Sequence, residues 1–453
     1  MTKWMTKQMN HKKQNNNFSN HMNINKNTLP SSFKILNGKL FCESVEIEML
    51  ASKFGTPIFI YSERAICEAF SKIKKAVAKW PVEICYAVKA NPNLGILKLL
   101  GSLNSGFDVV SGGELSRVLK AVKNPKKIVF SGVGKSEEEL ELAIRSRVFC
   151  INVESISELF TLNKVSKKNK VLTPISIRIN PDIDPKTHPY ISTGLKDNKF
   201  GLSLSQAKEA YKIAAELTNL KIIGIDCHIG SQITDKDPYV ESTNRLLKFV
   251  DSVDEIDKTN FHIDLGGGIG ICYEDEELPI LNDFFSSILR PIEEWSKKKS
   301  LKTPKIIFEL GRAIVGPAGL IVCKVIALKK GNDENDKNFI VVDAAMNDLM
   351  RPALYNAYHE IFPIINLQNS QSKIRWDIVG PICETGDWLG KDRQINTRQG
   401  ERLAIASAGA YGSSMASNYN SRPKPTEILV KKSGSIKVLK RRESFEDMIR
   451  NEI

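Results

Sequence analysis

Several features that mark specialised classes of protein are missing from this chain. Its eight cysteines are scattered, with no CxxC pair and no metal-ligand spacing, so we expect neither a disulfide framework nor a metal site. No apolar run is long enough to cross a bilayer, so we expect no membrane partner. Scattered thiols of this kind are typical of a cytoplasmic protein, in which cysteines stay reduced.

The first 32 residues lack acidic side chains altogether. Asparagine and lysine dominate this stretch, which has little apolar surface to bury, and we predict a disordered polar tail over residues 1–32. It has neither the apolar core of a secretory signal nor the arginine and serine enrichment of a transit peptide. This composition agrees with a cytoplasmic location.

The formal net charge of +13 raises the question of nucleic-acid binding. The lysines are spread along the chain, however, with no interleaved aromatic residues and no recognised binding motif. We therefore expect no nucleic-acid partner. The length of 453 residues exceeds the usual size of a single core and predicts two domains.

Short apolar runs alternate with amphipathic segments through the first half of the chain. This alternation predicts parallel strands covered by helices, and eight strands suffice for a closed (β/α)8 TIM-like barrel, which we assign to residues 64–312. The predicted strands are Glu83–Val88, Gly106–Val110, Lys127–Phe130, Val148–Val153, Pro174–Ile179, Lys221–His228, Phe261–Leu265 and Lys305–Glu309.

After Arg312 the pattern changes to short β-rich runs separated by polar turns, which predicts a C-terminal β-rich domain, a sandwich or barrel. An earlier strand, Pro57–Tyr61, either belongs to this domain or bridges to it. We assign residues 33–63 and 313–445 to the β domain. Its predicted strands are Leu320–Leu328, Phe339–Asp343, Trp376–Val379, Arg402–Ala406 and Glu427–Val430.

A lysine, Lys89, stands at the end of the first barrel strand. On local sequence alone, a strand-end lysine that reaches for water is the favoured interpretation. In an apolar setting, however, a lysine loses its proton readily and becomes an amine nucleophile able to form a Schiff base. Because functional groups gather at the carboxyl ends of barrel strands, we expect a catalytic Lys89.

The other strand ends supply groups that complement an amine. The glycines Gly267 and Gly268 follow strand seven, where a bare backbone can approach a phosphate closely. His228 ends strand six and could lie flat against a planar ligand, and Glu309 ends strand eight, where a carboxylate could pair with a ring nitrogen. A lysine for an aldehyde, glycines for a phosphate and a carboxylate for a pyridine nitrogen together indicate pyridoxal 5′-phosphate (PLP).

Three segments of the second half carry further candidate groups. Cys383 and Glu384 lie in a glycine-bounded loop, Gly380–Asp387, where a buried structural cysteine would be less natural. Tyr411 sits between glycines, in a position suited to contact a ligand. Arg351 offers a guanidinium that could clamp a carboxylate through two parallel hydrogen bonds.

From about Thr56 to Arg422 the chain resembles the diaminopimelate decarboxylases, members of the alanine-racemase-like (fold type III) PLP enzymes. Several motifs in the right order carry the resemblance, where any one would be weak. They are YAVKAN, GFDVVSGGEL, HPYISTGLKDNKFG, HIGSQ, DLGGGIG, RPALY, GPICETGD and GAYGSSMASNYNSRP. One position departs from the family pattern, because Leu310 stands where the family usually has a proline, and we expect only small effects on placement.

The resemblance implies a role for each matching residue. Lys89 would bind the PLP aldehyde, His228 would stack on the ring and Cys383 would donate the proton. The cofactor-binding set would be Lys89, His228, Ser231, Gly267, Gly268, Glu309, Gly311, Arg312 and Tyr411. The substrate-binding set would be Arg312, Arg351, Tyr355, Glu384 and Tyr411. The family's Cys-Glu loop comes from the partner subunit, which implies a homodimer with shared active sites.

The implied reaction is decarboxylation of meso-2,6-diaminopimelate to L-lysine and CO2, the last step of lysine biosynthesis by the diaminopimelate route. Arg351 and Glu384 would match the second amino-acid head of this substrate. Decarboxylases of ornithine, arginine or carboxynorspermidine share the scaffold and stay as alternatives. A non-catalytic PLP-binding homologue is the alternative from another functional class.

Overall fold

The computed structural model describes residues 28–184, 193–194, 198–333, 336–365 and 374–453. Its strands are β1 (Phe33–Leu36), β2 (Lys39–Cys42), β3 (Val45–Glu46), β4 (Ile58–Ser62), β5 (Val82–Ala87), β6 (Gly106–Val109), β7 (Ile128–Phe130), β8 (Cys150–Val153), β9 (Thr173–Arg178), β10 (Leu220–Asp226), β11 (His262–Asp264), β12 (Lys305–Leu310), β13 (Gly319–Lys329), β14 (Phe339–Val342), β15 (Ile361–Pro363), β16 (Trp376–Val379), β17 (Trp388–Arg393), β18 (Arg402–Ile405), β19 (Thr426–Val430) and β20 (Ile436–Lys440).

The helices of the same residues alternate with the strands through the first two thirds of the chain. They are α1 (Ile47–Phe54), α2 (Glu63–Ala76), α3 (Leu94–Ser102), α4 (Gly112–Ala121), α5 (Glu137–Ser146), α6 (Ile156–Asn169), α7 (Leu204–Glu216), α8 (Asp237–Asp251), α9 (Leu281–Lys298), α10 (Arg312–Val315), α11 (Arg351–Tyr355) and α12 (Phe445–Ile449). Searched over the described residues, none of these helices is long and apolar enough to cross a membrane.

Strands β5 to β12 form a closed parallel barrel in chain order, with β12 pairing back to β5. Each of the eight predicted barrel strands overlaps one of these, so the predicted fold class is confirmed. The strands are buried on both faces, which is why they read as continuous apolar runs in the sequence.

The barrel helices begin where the sequence supplies capping residues. The side chain of Ser62 accepts a hydrogen bond from the N–H of Ala65 at the start of α2. Ser136 and Glu139 form a reciprocal capping box at the start of α5. These caps satisfy backbone N–H groups that the first helical turn leaves unpaired.

The second domain is built on a sheet with the strand order β17-β16-β14-β13-β4-β19-β20. Strand β18 also pairs with β13, and β15 pairs with β18. Strand β4 pairs antiparallel with β13 and parallel with β19, so the early strand lies inside this sheet. Strands β1, β2 and β3 form a separate small sheet. The chain therefore enters the β domain, leaves it for the barrel and returns.

The N-terminal segment lies only partly within the described residues, since residues 1–27 fall outside them. Residues 28–32 are placed against the β domain: Thr28 and Ser32 are buried, and the hydroxyl of Ser407 donates to the carbonyl of Thr28. This short end of the predicted polar tail therefore packs onto folded structure.

The two domains meet above the carboxyl ends of the barrel strands. The amide of Asn91 donates to the carbonyl of Gly409, and the N–H of Tyr411 donates to the carbonyl of Ala90 at 2.8 Å. These contacts join the segment that follows β5 to the loop that follows β18. The loop containing Tyr411 is thereby fixed beside Lys89.

Candidate active site

Lys89 lies just after β5 and forms an ion pair with Asp108 on β6, with 2.8 Å between Nζ and the carboxylate oxygen. Burial alone would lower the pKa of Lys89, but the charges of Asp108 and Glu309 raise it above its ordinary value. The expectation that Lys89 loses its proton readily is therefore wrong for the cofactor-free protein. A lysine at an apolar strand end is indeed costly, but the neighbouring strand supplies a carboxylate that neutralises it.

Three carboxylates lie close together at the ends of the neighbouring strands β10, β11 and β12. Oxygens of Asp226, Asp264 and Glu309 lie within 4.8 Å of one another, and all three side chains are buried. Burial, reinforced by the neighbouring acids, raises the pKa of Asp226 and Glu309 well above their ordinary values. Like charges this close cannot all ionise, so this cluster retains protons.

His228 lies at the end of β10 and accepts a hydrogen bond at Nδ1 from the N–H of Gly267, at 2.9 Å. Burial, with the nearby cations of Arg178 and Lys89, lowers the pKa of His228 well below its usual range. The ring is therefore neutral, with its proton on Nε2. This hydrogen bond fixes the plane of the imidazole against the glycine loop.

The glycine loop after β11 has no room for side chains. A Cβ atom on Gly267 would lie 1.8 Å from the carbonyl oxygen of Glu309, and one on Gly268 would lie 2.1 Å from the carbonyl oxygen of Gly230. Gly268 also has a φ of +108°. Glycine is required at both positions by close backbone approach, and Gly268 lines the cavity described below.

Two guanidinium groups lie on the side of the β domain. Arg312 donates from Nη1 to the hydroxyl of Tyr273 at 2.7 Å and from Nη2 to the hydroxyl of Ser231 at 2.8 Å. Arg351, on α11, donates from Nη1 to His359 at 2.8 Å. Both arginines are buried, and neither forms an ion pair with any carboxylate in the described part of the chain.

Many of these groups line one cavity of about 450 Å³, to which the acid cluster contributes Glu309. Leu310, the residue that departs from the family pattern, is buried at the end of β12. Glu309, just before it, and Arg312, two residues after it, both line the cavity. Of the sequence-predicted site residues, those that line the cavity are Lys89, His228, Ser231, Gly268, Glu309, Gly311, Arg312, Arg351, Tyr355 and Tyr411. Gly267 supports this wall from behind through its hydrogen bond to His228.

Cys383 and Glu384 do not line this cavity. Both are exposed, in the loop between β16 and β17. The N–H of Cys383 donates to the side chain of Asn420, and the hydroxyl of Tyr419 donates to Glu384. Within one chain, the structure therefore separates the predicted thiol and carboxylate from the other site residues.

Several residues of the site were not predicted from the sequence. Tyr273 and His359 contact the two arginines, and neither stands at a strand end, so no local pattern marks them. Asp226 and Asp264 are the last residues of β10 and β11, on the inward face, and they pair with each other in register. Their position at the strand ends could therefore have predicted them as site residues. The predicted motif at residues 188–201 lies partly outside the described residues.

Comparison with known proteins identifies the family of this chain. Residues 63–316 match the family model described as "Pyridoxal-dependent decarboxylase, pyridoxal binding domain". A diaminopimelate decarboxylase of Neisseria meningitidis serogroup B is 50% identical over 414 residues, which cover 91% of this chain and 97% of that protein.

Two solved structures are similar over nearly the whole chain. The diaminopimelate decarboxylase of Helicobacter pylori, determined in complex with L-lysine, has a TM-score of 0.82 at 42% identity and covers 90% of this chain and 99% of its own. That of M. jannaschii has a TM-score of 0.86 at 38% identity and covers 93% and 98%. By sequence, fold and the groups gathered at its barrel mouth, this chain belongs to the diaminopimelate decarboxylase family of pyridoxal-dependent enzymes.

Proposed function

We propose that the protein decarboxylates meso-2,6-diaminopimelate to L-lysine with PLP as cofactor. The observation that carries this proposal is the composition of the cavity at the barrel mouth. Its lining includes Lys89, Glu309 and the buried guanidinium groups of Arg312 and Arg351, which have no carboxylate partners among the described residues. Such a pair of cations suits two anionic groups, a phosphate at Arg312 and a carboxylate at Arg351.

The residues present fit PLP. The Nε atom of Arg312 is buried without a hydrogen-bond partner, and the Gly268 backbone lines the same cavity. These groups would hold the phosphate, His228 would cover one face of the ring, and Glu309 would pair with the pyridine nitrogen. When bound, PLP would supply an aldehyde for the amino group and a ring that takes up the electron pair released as CO2 leaves.

The residues of the chain have separable tasks in this reaction. Asp108 holds the Lys89 ammonium in place, so the amine becomes nucleophilic only when that ion pair is relieved. Glu309 would hold a proton for the pyridine nitrogen, assisted by the acids packed against it. Arg351 and Tyr355 hold the carboxylate that is not lost, and Cys383 delivers a proton to the carbon that lost CO2.

The exposed position of Cys383 and Glu384 supports a homodimer in which each loop completes the partner's site. The loop is preformed, since Asp387 accepts hydrogen bonds from the N–H groups of Met346 and Ile382, each at 2.7 Å. A fixed loop that presents a thiol and a carboxylate outward suits insertion into a second copy. We further propose a cytoplasmic location, where thiols stay reduced, since none of the eight cysteines forms a disulfide.

Substitution Lys89→Ala tests the cofactor assignment. We expect this variant to lose the visible absorbance of PLP bound through an imine, and to lose decarboxylation by more than about a thousandfold, since the nucleophile itself is removed. Borohydride reduction of the wild-type protein followed by peptide mass spectrometry should place the cofactor on Lys89. The exposed lysine variant Lys98→Ala serves as control, and a Lys89→Ala protein with intact imine absorbance would refute the assignment.

Substrate choice is tested by CO2 release from meso-diaminopimelate, ornithine and arginine. Only diaminopimelate offers a carboxylate at each end, so we expect it to be turned over at least about 100-fold more efficiently, as is typical when a buried charge would otherwise stay unpaired. Preferential turnover of ornithine or arginine would favour the alternative decarboxylases. Absence of turnover of all three by PLP-loaded protein would favour a non-catalytic homologue.

A further inference from the structure

Arg351 is held from behind by a histidine that does not line the cavity. Its Nη1 donates to Nε2 of His359 at 2.8 Å, and Nδ1 of His359 lies 2.8 Å from the carbonyl oxygen of Ala406, which directly follows β18 in the β domain. His359 is completely buried, at 0% exposure. The guanidinium is therefore tied through one ring to the main chain of the second domain.

These two contacts determine the tautomer of His359. A carbonyl oxygen only accepts, so Nδ1 carries the proton and donates to Ala406, which leaves Nε2 as the acceptor for Arg351. Burial, with the positive charge of Arg351, lowers the pKa of His359 well below its usual range, so the ring stays neutral. A protonated ring would lose the acceptor and would repel the arginine.

Tyr273 contacts both arginines and the histidine. Its ring meets the ring of His359 edge-on at 5.1 Å between centroids. The guanidinium of Arg351 lies 4.5 Å from the centre of the Tyr273 ring. The hydroxyl of Tyr273 accepts a hydrogen bond from Arg312. One aromatic side chain thus sets the relative position of two cations.

Two buried guanidinium groups in one wall are unfavourable without an anion. Burial, with the neighbouring charge of Arg312, lowers the pKa of Arg351 from its ordinary value. The Nε atoms of Arg312 and Arg351 are both buried without hydrogen-bond partners. Rigid placement of such groups ahead of ligand binding avoids the entropy cost of ordering them afterwards.

We propose that His359 and Tyr273 are positioning residues that fix Arg351 for the carboxylate that remains on the product. This inference rests on the proposed function, because it assigns that carboxylate to Arg351. His359 acts through its hydrogen bonds, and Tyr273 acts through its ring. Neither residue touches the reacting atoms.

The test compares two ligands that differ only in the carboxylate, L-lysine and 1,5-diaminopentane, by calorimetric titration of the PLP-loaded enzyme. His359→Phe keeps a ring against Tyr273 but removes both hydrogen bonds. We expect it to weaken L-lysine binding about 10-fold to 100-fold, the cost of a lost hydrogen bond to a charged group, with 1,5-diaminopentane binding unchanged. His359→Gln can still accept from Arg351 and should recover most of the loss.

Tyr273 supplies an independent pair of variants. Tyr273→Phe keeps the ring beneath Arg351 and should preserve the preference for L-lysine, whereas Tyr273→Leu should reduce it. If His359→Phe fails to fold, the Gln variant together with this pair still decides the question. Thermal unfolding and the absorbance of bound PLP would be recorded for each variant to exclude general damage.

The inference is overturned if His359→Phe weakens both ligands equally, or weakens neither, or if Tyr273→Leu leaves the preference for L-lysine intact. Failure of the proposed function would look different. In that case wild-type enzyme itself would show no preference for L-lysine over 1,5-diaminopentane and would release no CO2 from diaminopimelate. The two failures are therefore distinguished by the wild-type measurements alone.

Discussion

At the scale of single residues, Asp264 links the ionisation of the site to the stability of the fold. Its side chain is completely buried at the end of β11, and one carboxylate oxygen has no hydrogen-bond partner. Burial raises the pKa of Asp264 from 3.8 to about 7, although the N–H of Gly266 donates to it. A group so perturbed, beside the Glu309 proposed to pair with the pyridine nitrogen, must influence the folding equilibrium as well as the chemistry.

The pH dependence of stability should report this group. Between about pH 4 and pH 7 the native state keeps a proton that the unfolded chain has released, so the free energy of unfolding falls as pH rises, by up to about 1.4 kcal/mol per pH unit. Asp264→Asn removes that contribution. We therefore expect the free energy of unfolding of the cofactor-free variant, minus that of wild type, to increase with pH by this slope between about pH 4 and pH 7. Above about pH 7 the difference should stay constant.

Urea unfolding at a series of pH values measures the difference. Burial lowers the pKa of His262 to about 3, which gives the opposite slope below its unfolded value of 6.5. Because His262 is present in both proteins, its contribution cancels when the two are subtracted. A difference between Asp264→Asn and wild type that did not vary with pH would contradict the assignment of the proton.

At the scale of elements, helix α9 supports the strand that carries Glu309. Its buried residues recur at spacings of three and four, which places them along one face. The ring of Phe285 packs edge-on against Phe308 of β12 at 5.1 Å and against Phe284 at 5.5 Å. The aromatic cluster thereby joins the outer helix to the strand end at the site.

Removal of one aromatic ring from this cluster should lower the stability of the fold more directly than the activity of the site. Phe285 is fully buried, so Phe285→Ala is expected to lower the free energy of unfolding by about 3–5 kcal/mol, from lost burial and the cavity left behind. Phe160→Ala is the matched control, since that ring is 53% exposed on α6 and should cost little. Equal losses in chemical denaturation for the two variants would show that the cluster is not a structural support.

At the scale of the whole molecule, the cavity of one chain contains the proposed lysine, acid and arginines but lacks the thiol. In the described residues Cys383 is exposed and is not among the residues that line the cavity with Arg351. The proposed role of Cys383 as proton donor requires a second chain, because a thiol outside the cavity cannot protonate a substrate carbon bound inside it. A homodimer with exchanged loops satisfies this geometry.

Subunit complementation tests that assembly. Lys89→Ala and Cys383→Ala should each be nearly inactive as pure dimers, whereas a mixed dimer contains one site with both native residues. Co-expression with random pairing is expected to recover about one quarter of wild-type activity. The control pairs Lys89→Ala with the double variant Lys89→Ala Cys383→Ala, which cannot form a complete site. Recovery in the control, or none in the test mixture, would exclude shared sites.

Much of the fold could be read from local sequence. The barrel strands were predicted because each is an apolar run between amphipathic segments, and burial on both faces imposes that pattern residue by residue. Lys89, His228, Gly268 and Glu309 were predicted because their strand ends meet at one mouth once a parallel barrel is assumed.

The rest depended on distances between residues far apart in the chain. Lys89 is protonated because Asp108 lies 2.8 Å away, and the acid cluster exists because three strands end together. His359 and Tyr273 meet Arg351 only after the two domains pack. The local hydrophobic pattern therefore determined the elements and the identity of the groups at the site. The ionisation and pairing of these groups were decided by the tertiary structure, because Coulomb and hydrogen-bond energies depend on separation in space.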